Sequence, residues 1–209
     1  RQLKSGLRPI AEGVVHPADS KLTQFARIKE GTLIQAKGFF FHLNEFLGQS
    51  PYYQRLKDGY FFTYYLCPTD YHRVHSPVDG RVLQSIYLPG QLWPVNDWSV
   101  NKINNLFAVN ERVVTFIDTD KGLCALVMVG ATNVGKMTLS FDCEVTTNQF
   151  LNRKRKETSY DPQIPLQKGD EVGTFHMGST VVMIYEKTFF EDIRFARGGV
   201  VKMGLTLLK

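Results

Sequence analysis

The stretch "GTFHMGSTVVMIYE", residues 173–186, decides how this chain is read. Its second half is a continuous apolar and β-branched run, the pattern of a strand covered on both faces. Its first half sets a small pair, Gly178 and Ser179, at the mouth of that strand. A hydrolase elbow would need Gly-x-Ser-x-Gly followed by a helix, and here valines follow instead. Gly178 has no Cβ, so the carbonyl ahead of Ser179 is open to approach. That arrangement suits a serine that attacks its own preceding peptide bond; a plain turn would use the same residues.

Working outward, four more segments read as strands: "GYFFTYYL" at 59–66, "RVLQSIYL" at 81–88, "RVVTFID" at 112–118 and "LCALVMVGA" at 123–131. Turn signals separate them, among them Pro77-Val78-Asp79-Gly80, Leu88-Pro89-Gly90 and Lys168-Gly169-Asp170. Helix is expected only in short pieces, at 42–49 and 52–59, the second ending on glycine. The fold class is therefore mostly β (α+β), a single compact domain of antiparallel sheets with a few short helices, barrel-like or sandwich-like. The 209 residues, 43% of them hydrophobic, supply a sizeable core for one domain. No internal repeat or linker interrupts them.

Residues 148–163, "NQFLNRKRKETSYDPQ", read as a loop. Its run Arg153, Lys154, Arg155, Lys156 is either a solvated loop or a contact with an anionic membrane surface, where each basic residue is worth on the order of 1 kcal/mol. The net charge of +5 suits an anionic partner. No nucleic-acid-binding motif accompanies it, so nucleic acid is not expected. The three cysteines, Cys67, Cys124 and Cys143, are odd in number and widely spaced, which fits reduced thiols better than disulfides or a metal knuckle. No apolar run approaches the roughly 20 residues that cross a bilayer. With neither initiator methionine nor signal peptide, the chain reads as part of a longer protein.

The phrase "PTDYHRVHSPVDGRV", 68–82, holds His72 and His75 three residues apart. No further ligand motif joins them, so no metal is expected; proton transfer or structural hydrogen bonding fits an imidazole that titrates near neutrality. Asp19, in the turn-like "HPADSKLTQ" at 16–24, is by type a turn residue. With a histidine and Ser179 it also completes the types of a proton-relay triad: nucleophile, base and orienting acid.

Taken in order, "PADS", "LIQAKG", "GYFFTYYLCPTDYHRVHSPVDG", "YLPGQLWPVN", "NLFAVNERV", "VMVGATNVGKM" and "LQKGDEVGTFHMGSTVV" resemble the phosphatidylserine decarboxylase family over nearly the whole chain. Met177 stands where leucine or phenylalanine is common in that family and keeps the apolar character. The resemblance implies a proenzyme that cuts itself between Gly178 and Ser179, into residues 1–178 and 179–209. By position, Asp19, His75 and Ser179 would be the processing triad. Ser179 would attack the Gly178 carbonyl to give an ester, and elimination and hydrolysis would then leave a pyruvoyl group. That group, derived from Ser179, would be the only cofactor, with no metal and no pyridoxal phosphate. Phosphatidylserine would join it as a Schiff base and lose carbon dioxide to give phosphatidylethanolamine. His72 or His75 would return the proton, His72 being favoured because the resemblance already occupies His75 with processing.

The same resemblance implies a peripheral protein on the cytoplasmic face of a bacterial inner membrane, or on a mitochondrial inner membrane. The large and small chains would stay associated, and a homo-oligomer is compatible with the sequence. Two readings stand beside this one: a pyruvoyl-dependent decarboxylase of a soluble amino acid, and a non-catalytic lipid-binding paralogue. The loop "LPGQLWPVNDW", 88–98, offers Trp93 and Trp98 either to a membrane interface or to ordinary packing.

Overall fold

The computed structural model describes residues 7–36, 39–132, 136–145, 147, 154–176, 179–191, 193 and 198–208. The strands are β1 (Ser20–Arg27), β2 (Thr32–Ala36), β3 (Phe39–His42), β4 (Tyr60–Leu66), β5 (Arg73–His75), β6 (Gly80–Leu88) and β7 (Arg112–Thr119). They continue as β8 (Gly122–Val129), β9 (Met137–Leu139), β10 (Lys156–Leu166), β11 (Glu171–Phe175), β12 (Ser179–Tyr185) and β13 (Gly199–Val201). Four one-turn helices, α1 (Leu43–Phe46), α2 (Tyr53–Leu56), α3 (Asp97–Val100) and α4 (Leu106–Val109), fill the connections.

An eight-stranded sheet runs β10-β6-β7-β8-β12-β4-β1-β13, antiparallel at every pairing. Its edges, β10 and β13, do not pair with each other, so the sheet is open rather than a closed barrel. A three-stranded sheet β5-β11-β9 and the hairpin β2-β3 complete the architecture. The five strands expected from apolar runs all form, within two residues of the expected bounds. In β8 every residue after Gly122 is buried, the mark of a central strand covered on both faces. β12 lies between β8 and β4, with ladders on both of its edges.

The expected loop at 148–163 is corrected in part. Residues 148–153 lie outside the described residues, Arg153 with them, but β10 begins at Lys156. Its alternating polar sequence and Pro162 and Pro165 hide it from a search for apolar runs. Both prolines are tolerated because β10 pairs on one side only. Two residues of the basic run have acidic neighbours at the surface: Lys156 is 2.7 Å from Glu144, and Arg155 pairs with Glu157.

The buried apolar side chains form one contiguous cluster from Val14 to Leu207. Arg112 is buried within it. Its guanidinium donates to the carbonyls of Phe46 (2.8 Å), Glu45 (2.8 Å), Ala108 (2.6 Å) and Asn110 (2.9 Å). It thereby ties the end of α1 to the end of α4, where helix carbonyls lack partners of their own. Burial lowers its pKa to about 10, against the opposing pull of Glu45. Trp93 and Trp98 are exposed, at 44% and 65%, so neither is a packing residue. The three cysteines are free thiols.

Candidate active site

Two connections between the same two sheets define the site. Leu66, the last residue of β4, pairs with Ser179, the first residue of β12. From Leu66 the chain leaves the large sheet, makes a turn closed by Asp70 N–H to the Cys67 carbonyl, and enters the small sheet as β5. In the small sheet β11 ends at Phe175, and the large sheet takes up the chain again at Ser179, the start of β12. The strands β5 and β11 pair directly, Glu171 opposite His75 and Thr174 opposite Arg73, and the Arg73–Glu171 ion pair at 2.5 Å fastens them. One residue further, Phe175 N–H donates to the His72 carbonyl at 2.9 Å. The histidine phrase and the chain that reaches Ser179 therefore run side by side. Gly178 lies outside the described residues, and Ser179 is placed by its backbone.

His75 has both ring nitrogens engaged. Its Nδ1 is 2.7 Å from the Gly169 carbonyl, which can only accept, so Nδ1 carries the proton. Its Nε2, left as an acceptor, takes the Tyr71 hydroxyl at 3.0 Å, and the two rings stack with centroids 5.7 Å apart. Burial lowers the His75 pKa, partly opposed by the Gly169 contact and by the charges of Glu171 and Asp19. The imidazole is thus neutral near pH 7 and basic at Nε2. Gly169 sits at φ 92°, a conformation that favours glycine, and this turn is what aims its carbonyl at the ring.

His72 differs. Its Nδ1 is 2.5 Å from the Asp70 carbonyl and so also carries the proton, but its Nε2 is buried with no hydrogen-bond partner. An unpaired lone pair in such a place costs about 1–3 kcal/mol and calls for an explanation.

Asp19 is buried at the start of β1. Its carboxylate accepts from Arg8 Nε (3.1 Å) and Nη2 (2.5 Å), from Lys202 Nζ (3.2 Å) and from Met203 N–H (2.9 Å). Burial alone would raise its pKa, but these donors outweigh it and hold the carboxyl below its usual range. No hydrogen bond joins Asp19 to His75 among the described residues. Their segments are stitched through the backbone instead, His75 N–H to the Pro17 carbonyl at 2.8 Å and Val15 N–H to the Pro77 carbonyl at 3.1 Å. Asp19 thus reaches His75 through its charge, while Gly169 and Tyr71 touch the ring.

Four participants escape a reading of the sequence. Tyr71 lies inside the quoted histidine phrase and Gly169 inside a recognised turn, so both had a signal of position but none of role. Arg8 and Lys202 meet Asp19 from opposite ends of the chain, with no local pattern to announce either. No group of three or more His, Cys, Asp or Glu side chains suited to a metal occurs among the described residues.

A profile of the family described as phosphatidylserine decarboxylase matches residues 1–209. This chain belongs to the phosphatidylserine decarboxylase family. Relatives named phosphatidylserine decarboxylase proenzyme include one from Anaeromyxobacter sp. (strain K), 41% identical over 208 residues, 98% of this chain and 74% of the relative. Another, from Vibrio cholerae, is 43% identical over 211 residues with the same coverage. A third, from Myxococcus xanthus, is 41% identical over 208 residues, 98% of this chain and 73% of the relative. In this chain the fold brings the histidine phrase beside the Asp19 turn, through His75 N–H to the Pro17 carbonyl, and beside β11, through Phe175 N–H to the His72 carbonyl.

Proposed function

We propose that this chain is a phosphatidylserine decarboxylase made as a single-domain proenzyme, and that it cuts itself between Gly178 and Ser179. The observation that carries the reading is the pair of neighbouring crossings, which sets the His72–His75 phrase beside the chain that enters β12 at Ser179. His75 is the base for the Ser179 hydroxyl: Nδ1 is fixed by Gly169, so Nε2 takes the proton once Tyr71 yields it. Asp19, a carboxylate at working pH, favours the imidazolium that forms.

The orphaned Nε2 of His72 fits a site completed by a group the unprocessed chain lacks. The pyruvoyl group formed from Ser179 supplies an electrophilic carbonyl that accepts electrons as carbon dioxide leaves. His72, with Nδ1 held by the Asp70 carbonyl, is the side chain that handles the proton at the decarboxylated carbon. The exposed Trp98, Ile34 and Phe40 favour a lipid over a soluble amino acid as substrate. They are the apolar surface offered to a membrane. Among the described residues no helix is long and apolar enough to cross one.

After the cut, β12 and β13 belong to the small chain of residues 179–209. Hydrogen-bonded on both edges in the middle of the sheet, β12 keeps that chain in place. An intact mass spectrum tests the proposal: two chains are expected, the smaller blocked at its amino end by a ketone, with Ser179→Ala giving one inactive chain. A single uncut chain that fully decarboxylates phosphatidylserine would end it.

A further inference from the structure

A cavity of about 400 Å³ opens on the face of the sheet that Thr180, the residue after Ser179, presents, walled by Lys21, Thr23 and Gln24 of β1, Thr63 and Tyr65 of β4, and Thr180 of β12. The pairing registers set Lys21 opposite Tyr65 and Tyr65 opposite Thr180, one residue along from the Leu66–Ser179 pair. This polar row spans two strand spacings, about 10 Å. A register shift between Leu22 and Gln24 lets the successive residues Thr23 and Gln24 both face the cavity. From the other side α3 and its flanks contribute Asn96, Val100 and Asn101. Gln35 holds this wall by donating to the Val100 and Ile103 carbonyls at 3.0 and 2.7 Å.

Two features of the cavity call for a ligand. Its lining has one charge, the cation of Lys21, and no carboxylate among the described residues. Thr63 is only 3% exposed and its hydroxyl has no hydrogen-bond partner, nor has the side-chain oxygen of Gln24. The Thr63 hydroxyl can turn its donor toward an anion, and the ammonium of Lys21 supplies its counter-charge. The helix that closes the cavity carries Trp98, exposed at 65%, so the mouth lies next to the surface offered to lipid.

We propose that this cavity binds the phosphodiester of a phospholipid headgroup, with Lys21 as its counter-ion and Thr63 as a hydrogen-bond donor. The assignment rests on the phosphatidylserine reading above and deepens it. Lys21 and Thr180 lie on either side of Tyr65, next to the row of Ser179, and within a headgroup the phosphate stands close to the amine that reacts.

The test is an NMR titration of the purified protein with glycerophosphoglycerol, a phosphodiester without an amine, and separately with inorganic phosphate. The diester should shift the amides of Lys21, Thr63 and Thr180, and Lys21→Gln should weaken its binding about tenfold, the worth of one charged hydrogen bond. Thr63→Val should weaken it about threefold while leaving the melting temperature unchanged or higher, because an unpaired buried hydroxyl has gone. In turnover, Lys21→Gln should raise KM for dispersed phosphatidylserine and spare kcat. Diester binding and KM indifferent to Lys21 would overturn the proposal while leaving the decarboxylase reading intact. Inorganic phosphate bound there and the diester refused would overturn the headgroup assignment. Lys21-dependent diester binding in a protein that releases no carbon dioxide from phosphatidylserine would uphold the cavity and refute the decarboxylase.

Discussion

Asp19 and Arg112 are both charged side chains drawn into the protein, and the contrast between their surroundings separates function from support. Arg112 is met by four backbone carbonyls, all neutral and all fixed by helix ends and strand. Asp19 is met by one backbone N–H and by Arg8 and Lys202, whose side chains are 21% and 48% exposed. The first arrangement cannot be rearranged without unmaking α1 and α4. The second is held largely by side chains that reach in from solvent and can leave again. A buried charge whose partners are removable can lend its field to a reaction, and one walled in by carbonyls holds a fold together.

The largest expected effect falls on the functional side of that contrast. Asp19→Asn should abolish self-cleavage, read as a single band on a denaturing gel, in a protein that still melts cooperatively. Normal cleavage in this variant would make Asp19 another Arg112. Arg112→Met should do the reverse, costing about 3 kcal/mol or more in urea unfolding through the orphaned carbonyls, while the folded fraction still cleaves.

Acid should distinguish the two regions next. His16, three residues before Asp19 and 3.3 Å from the Tyr64 hydroxyl, has its pKa lowered by burial to about 4. Its folded value lies below its unfolded one, so its contribution is complete above about pH 6.5 and is lost as pH falls from there toward 4, in all about 3 kcal/mol. Asp19, also depressed, contributes above the ordinary carboxylate range and loses that share only at lower pH. Melting curves should therefore fall in two stages, and His16→Gln should shrink the first, leaving the share of His75, whose pKa is lowered too. The smallest effect belongs to Arg8→Ala, about 1 kcal/mol or less for a partly exposed ion pair, with cleavage retained because Lys202 and Met203 still hold the carboxylate.

How legible this was in the sequence depends on the range of the contacts. β8 and β12 announce themselves because strands covered on both faces are apolar throughout. β10 stays hidden because an edge strand facing solvent is written in Lys, Glu, Thr and Gln, and its single ladder tolerates Pro162 and Pro165. Short strands such as β5 and β9 are three residues each, too brief for any periodicity to show. At the site, Ser179 and the two histidines stand out by residue type and phrase. The roles of Gly169 and Tyr71 do not, since a carbonyl that aims an imidazole is a property of a turn's path rather than of any side chain. Nor can a sequence show that Asp19 is claimed by Arg8 and Lys202, partners 11 and 183 residues away.

The twin crossings between the sheets carry one more consequence. Each is a strap anchored at both ends to the same two bodies, one from Leu66 to β5 and the other from β11 to Ser179. Sliding or tilting of the small sheet against the large one drags both straps together. The histidine phrase and the start of β12 then travel as companions, and their relative setting is insulated from breathing of the fold. The proposed cut just ahead of Ser179 would remove that insulation at a single point, while the histidine strap stays tied at both ends.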